Sequence, residues 1–122
     1  MKNKNLPASF KYALTGILNT LKKERNFKIH VCAAVCALIL SIVLKISVVE
    51  FVCILISITM VLSAELINTA IEAVVDLYVK DRIHPLAKAA KDAAAGAVLI
   101  TAINAVAVGA AIFLKRLANL FF

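Results

Sequence analysis

The feature that most restricts the fold is an uncharged apolar run from Ala93 to Leu114. A helix of about 20 residues spans the hydrocarbon core of a bilayer, so this run is long enough to cross unaided. The whole chain agrees with that reading, because 63% of its 122 residues are hydrophobic, against about 45–50% in soluble domains. The sequence therefore predicts an all-α integral membrane protein.

Two further apolar runs predict two more transmembrane helices. Residues 29–44 carry no formally charged side chain, and Lys45 can lengthen this run by extending its ammonium group to the membrane surface. Another run begins at Phe51 and continues around several polar residues to Val75. We therefore expect a single membrane-embedded domain over residues 1–122, with transmembrane helices at about 29–46, 49–76 and 90–116.

The N-terminal segment has a different pattern. Phe10, Leu14, Ile17 and Leu21 recur at helical spacing among lysines, which predicts an amphipathic helix over about residues 6–27. A helix of this kind, rich in lysine on its polar face, lies in the plane of the membrane interface. The pattern also suits a helix that packs on the transmembrane bundle, and the two interpretations are compatible.

The distribution of charge predicts the orientation. Seven Lys or Arg residues and one acid, Glu24, occur up to Lys28, so we expect a cytoplasmic N-terminus. The neutral connection between Lys45 and Glu50 should face outward, and the link over residues 76–92 should return to the cytoplasm. Topology and anionic lipid explain the net charge of +7 better than a nucleic acid partner would.

A stripe of polar residues interrupts the second span. Glu65, Asn68, Glu72 and Asp76 lie within an arc of about 80° on a helix that turns about 100° per residue. An ionised carboxylate is costly in hydrocarbon, so acids at this depth indicate function. Asp76 could instead be a solvated residue at the membrane surface, whereas Glu65 is about 16 Å deeper along the helix. Carboxylates that face a polar cavity favour a hard cation such as Mg²⁺.

Charges outside the stripe complement it. Glu24 precedes the first span, and Lys88, Lys91 and Asp92 follow the second. In phosphoryl transfer, Mg²⁺ bridges the phosphates, a lysine neutralises charge and a carboxylate accepts a hydroxyl proton. From the residues alone, the protein is a membrane protein with an acidic, cation-binding site. A small proton-coupled exporter is the alternative from a different class, although it would not need the charged cytoplasmic cluster.

Two motifs resemble the prokaryotic diacylglycerol kinase family. They are "AELINTAIEAVVD", beginning at Ala64, and "HPLAKAAKDAAAGAVL", beginning at His84. The similarity also includes "SFKYALTGI" and "ERNFKIH" near the N-terminus. The second motif is similar to the Gram-positive branch, whose members favour undecaprenol over diacylglycerol. The resemblance implies an enzyme of the bacterial cell membrane that uses ATP and Mg²⁺, with three transmembrane helices, a surface helix and a homotrimer that shares active sites between subunits.

The resemblance also implies roles for individual residues. Glu65 matches the catalytic base, which contacts the lipid hydroxyl, and Asn68 matches the active-site asparagine beside it. Glu24 and Glu72 match the glutamates that bind the nucleotide's magnesium. The remaining matches to the nucleotide site are Tyr12, Asp76, His84, Lys91 and Asp92.

Overall fold

The computed structural model describes residues 5–122, and within that range it contains four α-helices and no strand. These are α1 (Leu6–Lys23), α2 (Arg25–Val43), α3 (Val48–Val79) and α4 (Pro85–Phe121). The last three are long and apolar enough to cross a membrane. The all-α fold with three candidate spans is therefore confirmed.

The junction between α1 and α2 differs from the prediction. The predicted surface helix continued to residue 27, but α1 ends at Lys23 because Glu24 adopts extended backbone angles, with φ −99° and ψ 115°. Helical geometry resumes at Arg25. No glycine or proline marks this break in the sequence, so periodicity alone could not locate it.

The starts of α3 and α4 follow from local capping. Ser47 Oγ accepts a hydrogen bond from the Glu50 N–H at 3.2 Å, and the Glu50 carboxylate accepts one from the Ser47 N–H at 2.9 Å. This reciprocal capping box satisfies N–H groups that a helix start leaves without partners. At α4, His84 Nδ1 accepts from the Leu86 N–H at 3.1 Å, and Pro85 occupies the first turn, where its missing N–H is not needed.

α3 and α4 are longer than a bilayer requires. They contain 32 and 37 residues, whereas about 20 suffice to cross the hydrocarbon. α4 begins five residues before the predicted span and ends five residues after it. Both helices therefore extend beyond the hydrocarbon and can carry polar groups into the headgroup region and water.

α3 and α4 form an antiparallel hairpin, which is the most extensive packing in the described chain. Ion pairs tie the two helices near both ends: Asp76 with Lys91 at 2.8 Å, and Glu50 with Arg116. Between them, Asn104 Nδ2 donates to Ser57 Oγ at 3.4 Å. α2 packs on α3, and α1 makes few contacts with the other helices.

The apolar face of α1 is largely uncovered in the single chain. Leu6, Phe10 and Leu14 are 71%, 68% and 60% exposed, whereas Leu21 is half-buried. The bundle of one chain therefore does not bury this face.

Candidate functional site

The predicted polar stripe lies on one uninterrupted stretch of α3. Glu65 is buried, with 3% of its surface exposed. Asn68 and Glu72 are half-buried, and Asp76 is exposed. At about 1.5 Å per residue, Glu72 lies about 10 Å and Asp76 about 16 Å from Glu65 along the helix axis. The stripe thus runs from the protein interior out to solvent.

The length of α3 gives the depth of each group. Counted from the helix start at Val48, about 20 residues span the hydrocarbon and end close to Ile67. On this count from Val48, Glu65 would lie just inside the boundary, and Asn68, Glu72 and Asp76 would lie beyond it. A lipid hydroxyl and a water-soluble reactant can therefore meet near Glu65.

Glu65 has a contact that the sequence did not suggest. Nε2 of His30, on α2, lies 3.2 Å from the Glu65 Oε1 atom, and the two side chains are 27% and 4% exposed. No role was assigned to His30 from the sequence. The signal that could have identified it is an ionisable side chain within an apolar span, a position that is costly unless the group has a partner or a function.

Asn68 and Glu72 form a pair one helical turn apart. Asn68 Nδ2 donates to Glu72 Oε1 at 3.1 Å. The other end of the amide, Asn68 Oδ1, is buried and accepts no hydrogen bond within residues 5–122. Buried polar atoms nearly always have a partner, so an unpartnered oxygen beside a carboxylate needs an explanation. Oxygen is the donor atom that Mg²⁺ prefers, and this pair of side chains fits such an ion.

The proposed metal glutamates do not form a complete metal site within one chain. Over the described range, no three His, Cys, Asp or Glu side chains come together in a geometry that could hold a metal ion. The Glu24 carboxylate, at the break between α1 and α2, makes no capping hydrogen bond. Mg²⁺ is commonly held by one or two carboxylates together with substrate phosphates, so a partial set remains compatible with a nucleotide-bound ion.

The N-terminal part of α4 brings cations to the stripe. Lys91 Nζ lies 2.8 Å from Asp76 Oδ1, which joins two predicted nucleotide-site residues. Asp92 is instead paired with Lys88 on the exposed surface of α4, an interaction that adds little stability. His84 caps α4 through its imidazole, so this residue has a structural role as well as a predicted one.

Tyr12 remains separate from the stripe. It lies on α1 and is 41% exposed. Across residues 5–122, no hydrogen bond or ion pair connects the side chain of Tyr12 or Glu24 to α3. Polar contacts in one chain therefore join the α3 stripe to His30 and Lys91, but not to Tyr12 or Glu24.

An apolar cavity of about 220 Å³ is lined by His30, the residue that contacts Glu65. It lies between α2, α3 and α4 and is bounded by His30 and by Leu62, one turn from Glu65. Small side chains form much of its wall, including Ala33, Ala34, Ala37, Ala102 and Ala105. The lining and volume of the cavity suit a hydrocarbon segment.

Comparison with known proteins agrees with this arrangement. Residues 11–113 match the family described as prokaryotic diacylglycerol kinase. An undecaprenol kinase of Bacillus subtilis is 48% identical over 109 residues, covering 89% of this chain and 88% of the relative. A diacylglycerol kinase of Synechocystis is 41% identical over 95% of this chain and 66% of the relative. A third relative, a diacylglycerol kinase of Haemophilus influenzae, is 37% identical over 75% of this chain and 77% of its own length.

These matches favour the kinase over the exporter, because the matched region contains the α3 stripe and all but the last residues of α4. The chain belongs to the prokaryotic diacylglycerol kinase family and is a multi-pass membrane lipid kinase.

Proposed function

We propose that the protein transfers the γ-phosphoryl group of ATP to undecaprenol, with diacylglycerol as the alternative acceptor. The observation that carries this proposal is the burial of Glu65 against His30, which lines an apolar cavity between the candidate membrane spans. The relative named undecaprenol kinase matches with the higher identity over most of both chains. The two acceptors share a primary hydroxyl at the membrane surface, so the same chemistry serves both.

Glu65 is the proposed general base. Its carboxylate takes the proton of the lipid hydroxyl while the hydroxyl oxygen forms a bond to the γ-phosphorus and the bond from that phosphorus to ADP breaks. Positioned proton transfer of this kind contributes about 10²–10⁴-fold to rate. Asn68, one turn closer to solvent, lies between this base and the carboxylate of Glu72.

Glu72 and Glu24 are the proposed magnesium ligands, and Glu72 accepts a hydrogen bond from the Asn68 amide, whose oxygen has no partner within residues 5–122. When bound, Mg²⁺ neutralises phosphate charge during transfer. Lys91 can exchange its contact with Asp76 for a phosphate oxygen. The proposed nucleotide site further includes Tyr12, Asp76, His84 and Asp92, all of which are exposed.

We further propose a homotrimer in which neighbouring chains complete each site. The separation of the predicted residues supports assembly: within residues 5–122, the side chains of Tyr12 and Glu24 have no polar contact with α3. The exposed apolar face of α1 supports a helix that lies in the membrane interface. The basic N-terminal region supports a cytoplasmic nucleotide site.

The test compares both lipid alcohols in matched detergent micelles with Mg²⁺ and ATP. The purified protein should phosphorylate undecaprenol with the higher kcat/KM. Glu65→Gln should lower turnover with either lipid by about 100-fold or more, while nucleotide binding measured on the same preparation persists. Near wild-type turnover of Glu65→Gln would contradict the role of Glu65, and a preference for diacylglycerol would contradict the proposed acceptor.

A further inference from the structure

We infer that His30 is a positioning residue that orients the Glu65 carboxylate toward the lipid hydroxyl. This inference rests on the proposed function of Glu65 as the base. It assigns a role to a residue on α2, whereas the motif that suggested the site lies on α3 and α4.

The Glu65 carboxylate is buried and therefore needs a polar partner inside the protein. Glu65 is 3% exposed, and taking a carboxylate out of water is costly unless donors replace the lost hydration. His30 Nε2 lies 3.2 Å from Oε1, so the imidazole is the polar group that the structure places against this carboxylate. The imidazole therefore compensates the burial of Glu65 from a neighbouring helix.

The contact with His30 also restricts the orientation of the Glu65 carboxyl group. A partner held at Oε1 limits rotation of the carboxyl group, which leaves Oε2 to accept a proton. Because the donor comes from α2 and the acceptor from α3, the contact also fixes the spacing of the two helices next to the reacting group. A base held in a productive orientation reacts faster than one that samples several.

His30 also borders the apolar cavity between α2, α3 and α4. It thus lies between the space that can hold a hydrocarbon chain and the carboxylate that takes the proton. Replacing it should change the chemical step more than binding of the nucleotide, which the proposed function assigns to residues nearer solvent.

The test uses two substitutions in the full-length protein. His30→Leu removes the donor at similar bulk, and His30→Gln keeps an N–H donor at similar reach. We expect His30→Leu to lower kcat by about tenfold or more, the scale of losing a polar partner of a charged group, with the KM for ATP unchanged. His30→Gln should recover most of the loss.

Ser41→Ala is the matched control on the same helix. Ser41 is buried, but its hydroxyl donates to the Ala37 carbonyl within α2, so this variant should keep wild-type kcat. Recovery of folded oligomer after extraction is measured for every variant.

Two results would overturn the inference: turnover of His30→Leu within about twofold of wild type, or equal losses in His30→Leu and His30→Gln. If Glu65→Gln is inactive and His30→Leu is active, the positioning role of His30 is rejected and the role of Glu65 as the base is retained. An active Glu65→Gln would remove the base assignment and, with it, this inference.

Discussion

At the scale of single residues, the hydrogen bond between Asn68 and Glu72 can be judged by how much stability it adds to α3. Their hydrogen bond links side chains one turn apart, and such a pair adds only about 0.2–0.5 kcal/mol to a helix. That gain does not explain an amide oxygen that stays buried and unpartnered within residues 5–122. The proposed magnesium site would give this oxygen a partner, and Glu72 would then serve binding more than helix stability.

Glu72→Gln should raise the Mg²⁺ concentration needed for half-maximal activity by about tenfold or more, since even the loss of an outer partner of a metal ligand costs about that much affinity. Mg²⁺ titration of ATP-dependent lipid phosphorylation measures the change. Asp81→Asn is the control, because it removes a carboxylate charge at an exposed position after α3 that belongs to no predicted site. An unchanged Mg²⁺ requirement in Glu72→Gln would remove this residue from the ligand set.

At the scale of helices, polar contacts set the register of the α3–α4 hairpin. The pairs of Glu50 with Arg116 and Asp76 with Lys91 lie near its two ends. Apolar faces rich in Ala, Val and Ile can slide past one another at little cost in lipid, because the hydrophobic effect does not drive helices together there. Charged pairs with defined geometry oppose such sliding.

Arg116→Gln should lower the Tm of the detergent-solubilised protein by several degrees, because the partly buried Glu50 then loses its charged partner. Arg116→Lys keeps the charge and should recover part of the loss. Lys115→Gln removes an exposed neighbouring charge and should leave the Tm unchanged. Equal thermal unfolding in Arg116→Gln and Lys115→Gln would show that this pair does not hold the hairpin.

At the scale of the whole molecule, the proposed site is divided between two groups of residues. Glu65, Asn68 and Glu72 lie on α3, and Lys91 reaches the same stripe from α4. Glu24 lies at the junction of α1 and α2 and makes no polar side-chain contact with α3 within the described chain. A neighbouring chain that brings its α1–α2 junction to this α3 would complete the site.

Mixing two inactive variants tests that arrangement. If Glu24 and Glu72 of one site come from different chains, co-assembled Glu24→Gln and Glu72→Gln proteins should regain activity, because some mixed sites contain both glutamates. The controls are oligomers assembled from each variant alone. Native mass spectrometry measures how many oligomers contain both variants. Mixed oligomers without recovered activity would indicate that each chain builds its own site.

The sequence by itself determined the helical fold and the α3 stripe. Hydrocarbon offers no hydrogen-bond partners to the backbone. An uncharged apolar run long enough to cross a bilayer therefore forms a helix, which satisfies its backbone hydrogen bonds internally. Once the segment is helical, spacings of three and four residues place Glu65, Asn68, Glu72 and Asp76 on one face, whatever surrounds them. These properties are local, so they could be predicted without knowing how the helices pack.

The tertiary structure decided which side chains meet across helices. The contact of His30 with Glu65, the pairs of Lys91 with Asp76 and Arg116 with Glu50, and the cavity beside them all join residues from different helices. The extended backbone of Glu24, which ends α1, likewise has no glycine or proline signal. Periodicity assigns each residue to a face of its own helix, but the rotation and sliding of one helix against another depend on side-chain packing along their whole length.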